Sequence, residues 1–287
     1  MHVAASASTA NLGSGFDAAA AALDLWNELE VEDGAFAVEL EGEGADELPC
    51  DASHLALRAF VLFAPLENRR FRFLNRIPLE RGLGSSASAI ALGLVAGAAA
   101  AGRPAAPAEL LALGERFEGH VDNLAAVLLG GVCVAWRRDG APHARRIADD
   151  MPLAAIVAVP GSRISTARSR TGLPATVPHE DAAANAAAAM LLGTAIASGD
   201  ATLLGDAFED RLHEGYRAES APLLGAIRAQ LPEGAVAVTL SGSGPSVVIW
   251  AETARADEVA ESLRASLRDD AAVLRLGVAR RGAHLTD

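Results

Sequence analysis

The chain has no lysine, so all 24 of its Lys-plus-Arg positions are arginine. That absence excludes whole classes of chemistry. A Walker-type phosphate loop needs Gly-Lys-Ser/Thr, a protein-kinase site needs its strand lysine, and Schiff-base chemistry, pyridoxal included, needs a lysine amine. Cysteine is nearly as scarce: Cys50 and Cys133 stand far apart with no metal-like spacing, so no disulfide framework is expected. Basic charge is outweighed, leaving a net charge of −13. This argues against a nucleic-acid partner, because backbone phosphates demand a basic surface. A small anion held by local arginines and backbone N–H groups remains compatible. Long apolar runs are missing too. Ala89 to Ala101 is interrupted by Gly93 and Gly97 and is too short to cross a bilayer. No basic region followed by an apolar run opens the chain, so a cytoplasmic, soluble protein without membrane contact is expected.

What is present is a globular composition. Hydrophobic residues make up 51% of 287 positions, enough for two modest domains or one large one. The stretch Pro78-Leu79-Glu80-Arg81-Gly82-Leu83-Gly84-Ser85-Ser86-Ala87-Ser88 lies between an extended segment, Arg70 to Ile77, and the Ala/Leu-rich stretch from Ala89. A loop of small residues opening a helix offers unpaired N–H groups and the positive end of a helix dipole, which favours an anion, most often phosphate. Gly82 and Gly84 let the backbone turn and approach a ligand. Taken alone, the stretch reads equally well as a turn followed by a capped helix.

Along the chain, Val3 to Ser8 reads as a strand. Ser8 to Asp17 forms a second polar, glycine-bearing loop leading into the apolar segment Ala18 to Leu25. Its plain reading is a turn plus a capped helix, yet Asn11 and Asp17 together also make a small-ligand clamp. Glu28 to Val31 and Ala35 to Leu40 read as a hairpin turning at Asp33-Gly34. Asp51 or Ser53 caps a helix to about Ala64. Arg70 to Leu74 alternates arginine with aromatics like a half-exposed strand. A helix from Pro107 runs into a cluster of Glu118, His120, Asp122 and Asn123. That cluster is either a solvated helix end or a magnesium carboxylate with polar groups around a reacting hydroxyl. Zinc at His120 fits poorly, since no His/Cys pattern repeats nearby. A boundary between about Arg146 and Pro160 divides the chain into 1–150 and 151–287. The second part has a β-loop-β-α-β order, expected to give a small sheet covered by helices on one face. It also carries a basic segment, Ser165 to Pro174, a helical arginine-bearing run, Asp206 to Arg217, and a third glycine-rich loop, Ser241 to Ser246.

The glycine-rich loops, in this order, resemble those of the GHMP kinase superfamily, and within it the homoserine-kinase branch. Ser8 to Asp17 is similar to S-A-N-L-G-P-G-F-D, with Ser14 where proline is usual. Ile77 to Ser88 is similar to I-P-x-x-R-G-L-G-S-S-A-A, and Glu118 to Asn123 to E-G-H-P-D-N, with Val121 for proline. Arg170-Thr171-Gly172-Leu173-Pro174 resembles A-R-x-x-L-P, Asp210 to Arg217 resembles D-x-x-x-E-P-Y-R with Gly215 for proline, and Ser241 to Ser246 resembles S-G-A-G-P-[ST].

The resemblance implies a two-domain α+β fold, with an N-terminal ribosomal-S5-domain-2-like domain and a C-terminal ferredoxin-like domain. It implies ATP-dependent phosphorylation of the γ-hydroxyl of L-homoserine, a step towards threonine. Pro78, Arg81, Gly82, Leu83, Gly84, Ser85, Ser86, Ala87 and Ser88 would cradle ATP, and Ser86 with Glu118 would hold Mg2+, with Glu115 as the fallback carboxylate. Asn11, Asp17, His120, Asn123, Arg170, Arg217, Gly242 and Gly244 would bind the amino acid, the two arginines gripping its carboxylate. Catalysis would fall to Asn123, Glu118 and Ser86. Asp122 is the nearest candidate base, but positioning with direct loss of the proton to phosphate is the expectation. Two alternatives stand beside this one: a kinase of the same superfamily acting on a mevalonate-, isoprenoid-intermediate- or sugar-type alcohol, and a non-catalytic ligand sensor. A homodimer is left open.

Overall fold

The computed structural model describes residues 1–286. The first half runs β1 (His2–Ala10), β2 (Ala19–Asp33), β3 (Ala37–Gly42), α1 (Leu55–Phe60), β4 (Arg69–Asn75), α2 (Ser85–Ala100), α3 (Pro107–Gly114), α4 (Asp122–Leu129), β5 (Val132–Arg138) and β6 (Ala141–Ala148). The second runs β7 (Ala154–Pro160), α5 (Thr166–Thr171), α6 (His179–Ser198), α7 (Leu204–Ala207), α8 (Glu214–Arg217), α9 (Pro222–Ala229), β8 (Ala235–Leu240), β9 (Val247–Ala251), α10 (Ala256–Leu267), β10 (Ala271–Leu276) and β11 (His284–Thr286). Among the described residues no helix is long and apolar enough to cross a membrane.

Two sheets carry the fold. The first has the order β11-β1-β2-β4-β3, with β5 and β6 branching from the start of β2. The second is antiparallel in the order β10-β7-β9-β8, the ferredoxin-like arrangement. The last strand crosses back, so that Thr286 pairs with His2 on the edge of the first sheet.

Burial on both faces explains the composition of the central strands. In β1, Val3 and Ala5 face the helical core with Phe71, Phe73, Ile90 and Leu94, while Ala7 belongs to the seam with the second sheet. β7 alternates likewise: Ala155, Val157 and Val159 face the seam, Ile156 and Ala158 face α9 and α10. Such strands read as continuous apolar runs. In the seam Trp250 stacks on Phe208, 5.3 Å between ring centroids, and donates its indole N–H to Thr239 Oγ1 at 2.9 Å. The glycines that interrupt Ala89 to Ala101 do not break α2. A Cβ at Gly93 would lie 1.9 Å from the Ala56 carbonyl oxygen, so this position lets α1 pack directly on α2.

Three sequence expectations are corrected. Ala18 to Leu25 is not helical but the start of β2; a short apolar run has no decisive period, and pairing with β1 and β5 overrides alanine's helix propensity. β2 and β3 do not form a hairpin, because β4 lies between them, antiparallel to β2 and parallel to β3. Charge accounts for this order. Direct pairing would set the glutamates of β2 and β3 side by side, whereas the intervening strand places Arg72 2.9 Å from Glu30 and Arg70 2.6 Å from Glu39. The run from Asp206 to Arg217 is not one helix but two short ones, α7 and α8.

His54, not Asp51 or Ser53, caps α1, which ends at Phe60 short of Ala64: the His54 Nδ1 accepts the Ala56 N–H at 3.3 Å and its ring lies 4.4 Å from that of Phe73. Burial pulls its pKa from 6.5 down to about 4. The unfolded chain therefore binds this proton first. The stability contributed by the neutral ring is complete above pH 6.5 and is lost as pH falls towards 4, by at most about 3 kcal/mol. Urea midpoints should drop between pH 7.5 and pH 5, and His54→Asn, which keeps a capping acceptor but cannot titrate, should flatten that slope. An equal slope in both proteins would clear His54 of the effect.

Candidate active site

The three glycine-rich loops meet at the seam and hold one another through backbone groups. Ser8 N–H donates to the Leu83 carbonyl at 3.1 Å, and Gly242 N–H donates to Ala10 at 3.1 Å. The Ser241 hydroxyl lies 2.8 Å from Gly82 O and 2.9 Å from Thr9 Oγ1. Asn11 Nδ2 donates to Gly242 O at 2.8 Å. They enclose a cavity of about 610 Å³.

The central loop forms one wall. Gly84 precedes α2 in a left-handed conformation, φ 69°, and no side chain caps the helix. The first N–H groups of α2 thus have no partner within the helix and point out of its positive end. A Cβ at Gly84 would lie 2.0 Å from Ser8 Oγ. Gly84→Ala should therefore cost about 1–2 kcal/mol for the backbone alone, raise the KM for ATP roughly tenfold, and lower kcat as well, because the added methyl displaces Ser8, which orients Asn123. Steady-state kinetics against each substrate checks this; an unchanged ATP KM would remove the loop from nucleotide binding. Arg81 makes a different contact from its neighbours. Its Nε and Nη2 donate to the carbonyls of Pro160 and Gly161, at 2.8 and 3.1 Å, which ties the loop to the end of β7.

Opposite lies the acidic cluster. Ser86 donates its hydroxyl to Glu118 at the mouth of α2. Glu115 instead pairs with Arg137 and is not among the cavity-lining residues. Among the described residues no group of three or more His, Cys, Asp or Glu forms a metal cage. One carboxylate and one hydroxyl beside a phosphate-binding helix end fit magnesium, which usually takes one or two carboxylates plus substrate phosphates. Asn123 is oriented by Ser8, whose hydroxyl donates to its Oδ1 at 2.8 Å. Asp122 begins α4 fully buried. Burial raises its pKa, while the Asn123 N–H donated to it at 2.7 Å pulls the other way.

The third wall is cationic. Arg170 forks onto Asp17, Nη1 to Oδ2 at 3.1 Å and Nη2 to Oδ1 at 2.5 Å. Asp17 is itself held by its N–H to Asn11 Oδ1, 3.0 Å. Arg217 is only 3% exposed, yet among the described residues it has no carboxylate partner: Asp17 and Glu214 pair with Arg170 and Arg228, and Asp210 accepts the backbone N–H groups of Leu212, His213 and Glu214. Its Nε is buried without any hydrogen bond. Desolvation, and then the nearby Arg170 charge, lower its pKa. Phe16 underlies both arginines, its ring centroid 5.8 Å from the Arg170 and 5.5 Å from the Arg217 guanidinium carbon. His213 stacks on the same ring at 4.9 Å and meets Arg217 Nη1 through Nδ1 at 3.0 Å. Burial takes the His213 pKa down from 6.5 to about 4, against the pull of Asp210.

The cavity brings together Asn11, Asp17, Pro78, Arg81, Gly82, Leu83, Gly84, Ser85, Ser86, Glu118, His120, Asn123, Arg170, Arg217 and Gly242. Ala87, Ser88 and Gly244 do not line it. Ser88 is buried, its hydroxyl donating to Ala5 O at 3.1 Å, and Gly244 shapes the third loop by donating its N–H to Ser241 at 2.8 Å. The sequence reading did not single out Phe16, His213 or Ser8 as site residues. The signals were present as an aromatic directly before Asp17 and as a histidine four residues before Arg217, a spacing that sets two side chains on one helical face.

A two-sheet fold with a lysine-free phosphate loop facing an arginine-lined pocket defines a small-molecule kinase of the GHMP class. The family model for the GHMP kinases N terminal domain matches residues 53–131, and that for GHMP kinases C terminal matches 194–269. The chain belongs to the homoserine kinase family within that class. It is 41% identical to the homoserine kinase of Streptomyces coelicolor, over 96% of this chain and 91% of the relative, and 41% identical to that of Moorella thermoacetica, over 85% of each. The structure of homoserine kinase from Cytophaga hutchinsonii superposes with a TM-score of 0.88 at 23% identity, covering 100% of this chain and 97% of the other. L. major mevalonate kinase in complex with R-mevalonate shares the fold at a TM-score of 0.72 and 16% identity, covering 97% and 96%.

Proposed function

We propose that this protein transfers the γ-phosphoryl group of ATP to the γ-hydroxyl of L-homoserine, with Mg2+, in the cytoplasm. The observation that carries the substrate assignment is Arg217, a buried guanidinium with no carboxylate partner and an unpaired Nε beside the phosphate loop. A planar donor fork in a buried site is suited to a carboxylate, which homoserine and mevalonate have and a simple sugar lacks; the ammonium group of homoserine, absent from mevalonate, separates those two at Asp17. Asp17, held by Asn11 and Arg170, would accept from the substrate ammonium group. Asn123, fixed by Ser8, would place the acceptor hydroxyl, whose proton would pass to the transferring phosphoryl oxygen as the new O–P bond forms and the bond to ADP breaks. The N–H groups opening α2 would hold the phosphates, and the apolar end of the cavity, Leu48, Pro49, Leu55 and Pro78, would take the adenine. Ser86 and Glu118 would hold magnesium, which when bound offsets the charge spread over the phosphates. Purified protein with ATP should turn over homoserine in preference to mevalonate and galactose, and no turnover of homoserine would overturn the assignment.

A further inference from the structure

The orientation of the buried Arg217 depends on a side chain that does not line the cavity. His213 is completely buried and does not line the cavity, yet it contacts Arg217, which does, and two residues of the first loop. Its Nε2 lies 3.1 Å from the carbonyl oxygen of Gly13 in the first loop, its Nδ1 lies 3.0 Å from Arg217 Nη1, and its ring stacks on Phe16. Arg217 Nη1 can only donate. Nδ1 must therefore accept, which leaves the proton on Nε2, where it can be donated to Gly13. An imidazolium would place a donor against a donor and a cation against a cation.

The segment that presents His213 is built for this. Asp210 accepts the backbone N–H groups of Leu212, His213 and Glu214 at 3.1, 2.9 and 2.7 Å, capping the turn that opens α8. One residue on, Glu214 accepts the Leu240 N–H at 2.6 Å and pairs with Arg228, which anchors the same turn to β8 and α9. His213, the N-cap residue of α8, and Arg217 then stand four apart, joined by the Arg217 N–H donated to the His213 carbonyl at 3.2 Å. The charged groups facing His213 are Asp210, 3.6 Å from Nε2, with Arg217 and Asp17 acting from α8 and the first loop. Burial outweighs the two carboxylates and keeps the ring neutral.

We infer that His213 is a positioning residue for substrate affinity: as the Nε2–H tautomer, it fixes the Arg217 guanidinium through Nδ1 and ties its orientation to the first loop through Gly13. One Arg217 terminal nitrogen is thereby committed to the protein, and the remaining donors are left for a carboxylate. This inference rests on the proposed role of Arg217, and the test separates the two.

Three variants dissect the contacts. His213→Leu removes both; His213→Asn can still present an acceptor near the Nδ1 position; His213→Gln can still donate near the Nε2 position but offers no acceptor to Arg217. His213→Leu and His213→Gln should raise the homoserine KM roughly ten- to a hundredfold, the range for a hydrogen bond to a charged group. The ATP KM should stay within about twofold, and His213→Asn should recover much of the loss. In an Arg217→Leu background, His213→Leu should add little. Equal KM changes for both substrates, the same loss in all three variants, or full additivity with Arg217→Leu would overturn the inference. Imidazole nitrogen NMR of the wild-type protein needs neither turnover nor a folded variant. The neutral Nε2–H tautomer should persist from pH 8 to pH 6, and an imidazolium or an Nδ1–H tautomer in that range would also overturn it. Failure of homoserine turnover in wild type, with this NMR signature intact, would sink the substrate assignment and leave the positioning role standing.

Discussion

Arg217→Leu should raise the KM for homoserine by roughly a hundred- to a thousandfold while leaving that for ATP near its original value. The size follows from the loss of two charge-assisted hydrogen bonds to the substrate carboxylate, each about 1.5–2 kcal/mol. The selectivity follows from place. Arg217 lies on α8 against Gly242 O at 3.4 Å and Phe16, whereas the wall proposed for the nucleotide is built from the loop before α2. Leucine also leaves the buried Nδ1 of His213 without its donor, so some stability will be lost with the affinity. Circular dichroism melts of the variant separate that loss from the kinetic effect. If both KM values rise together, Arg217 holds the fold of the site and not the substrate.

Glu118→Ala should lower kcat by about a thousandfold at ordinary magnesium concentrations. The change removes the carboxylate that accepts the Ser86 hydroxyl at the mouth of α2. Glu115 cannot replace it without giving up Arg137. A misplaced or absent metal withdraws charge stabilisation worth several kcal/mol in the transition state. Part of the activity should return at high magnesium, and a titration of rate against magnesium concentration measures this. Near-normal kcat in the low millimolar range would move the metal role to Glu115.

The glycine-rich loops were the legible part of the chain, because their chemistry is local. Gly84 turns the backbone at φ 69° and Ser86 lines the cavity beside Glu118, and both positions show in the residue types. Arg170 and Arg217 were singled out only through the resemblance of their motifs, and the structure adds that both line the cavity. Pairings fixed by distant strands were not legible. Nothing near Ala18 says that β1 and β5 will flank it, and nothing near Asp33 says that an arginine-bearing strand more than thirty residues on will come between two glutamate-bearing ones. His213 was hidden for another reason. Its role exists only through Gly13 and Arg217, one of them two hundred residues away. Arg81 sits in a phosphate loop, but its guanidinium contacts follow from where β7 ends.

The seam has a bearing on dissection of the protein. Ala7, Leu23 and Leu83 from the first half share one apolar cluster with Val157, Val248 and Trp250 from the second, and β11 completes the edge beside β1. A fragment ending near residue 150 would carry that cluster half open, with an unpaired strand edge next to it. Such a surface invites self-association. The two halves are distinct in architecture but not in solubility, and neither is a module that can be transplanted without the other.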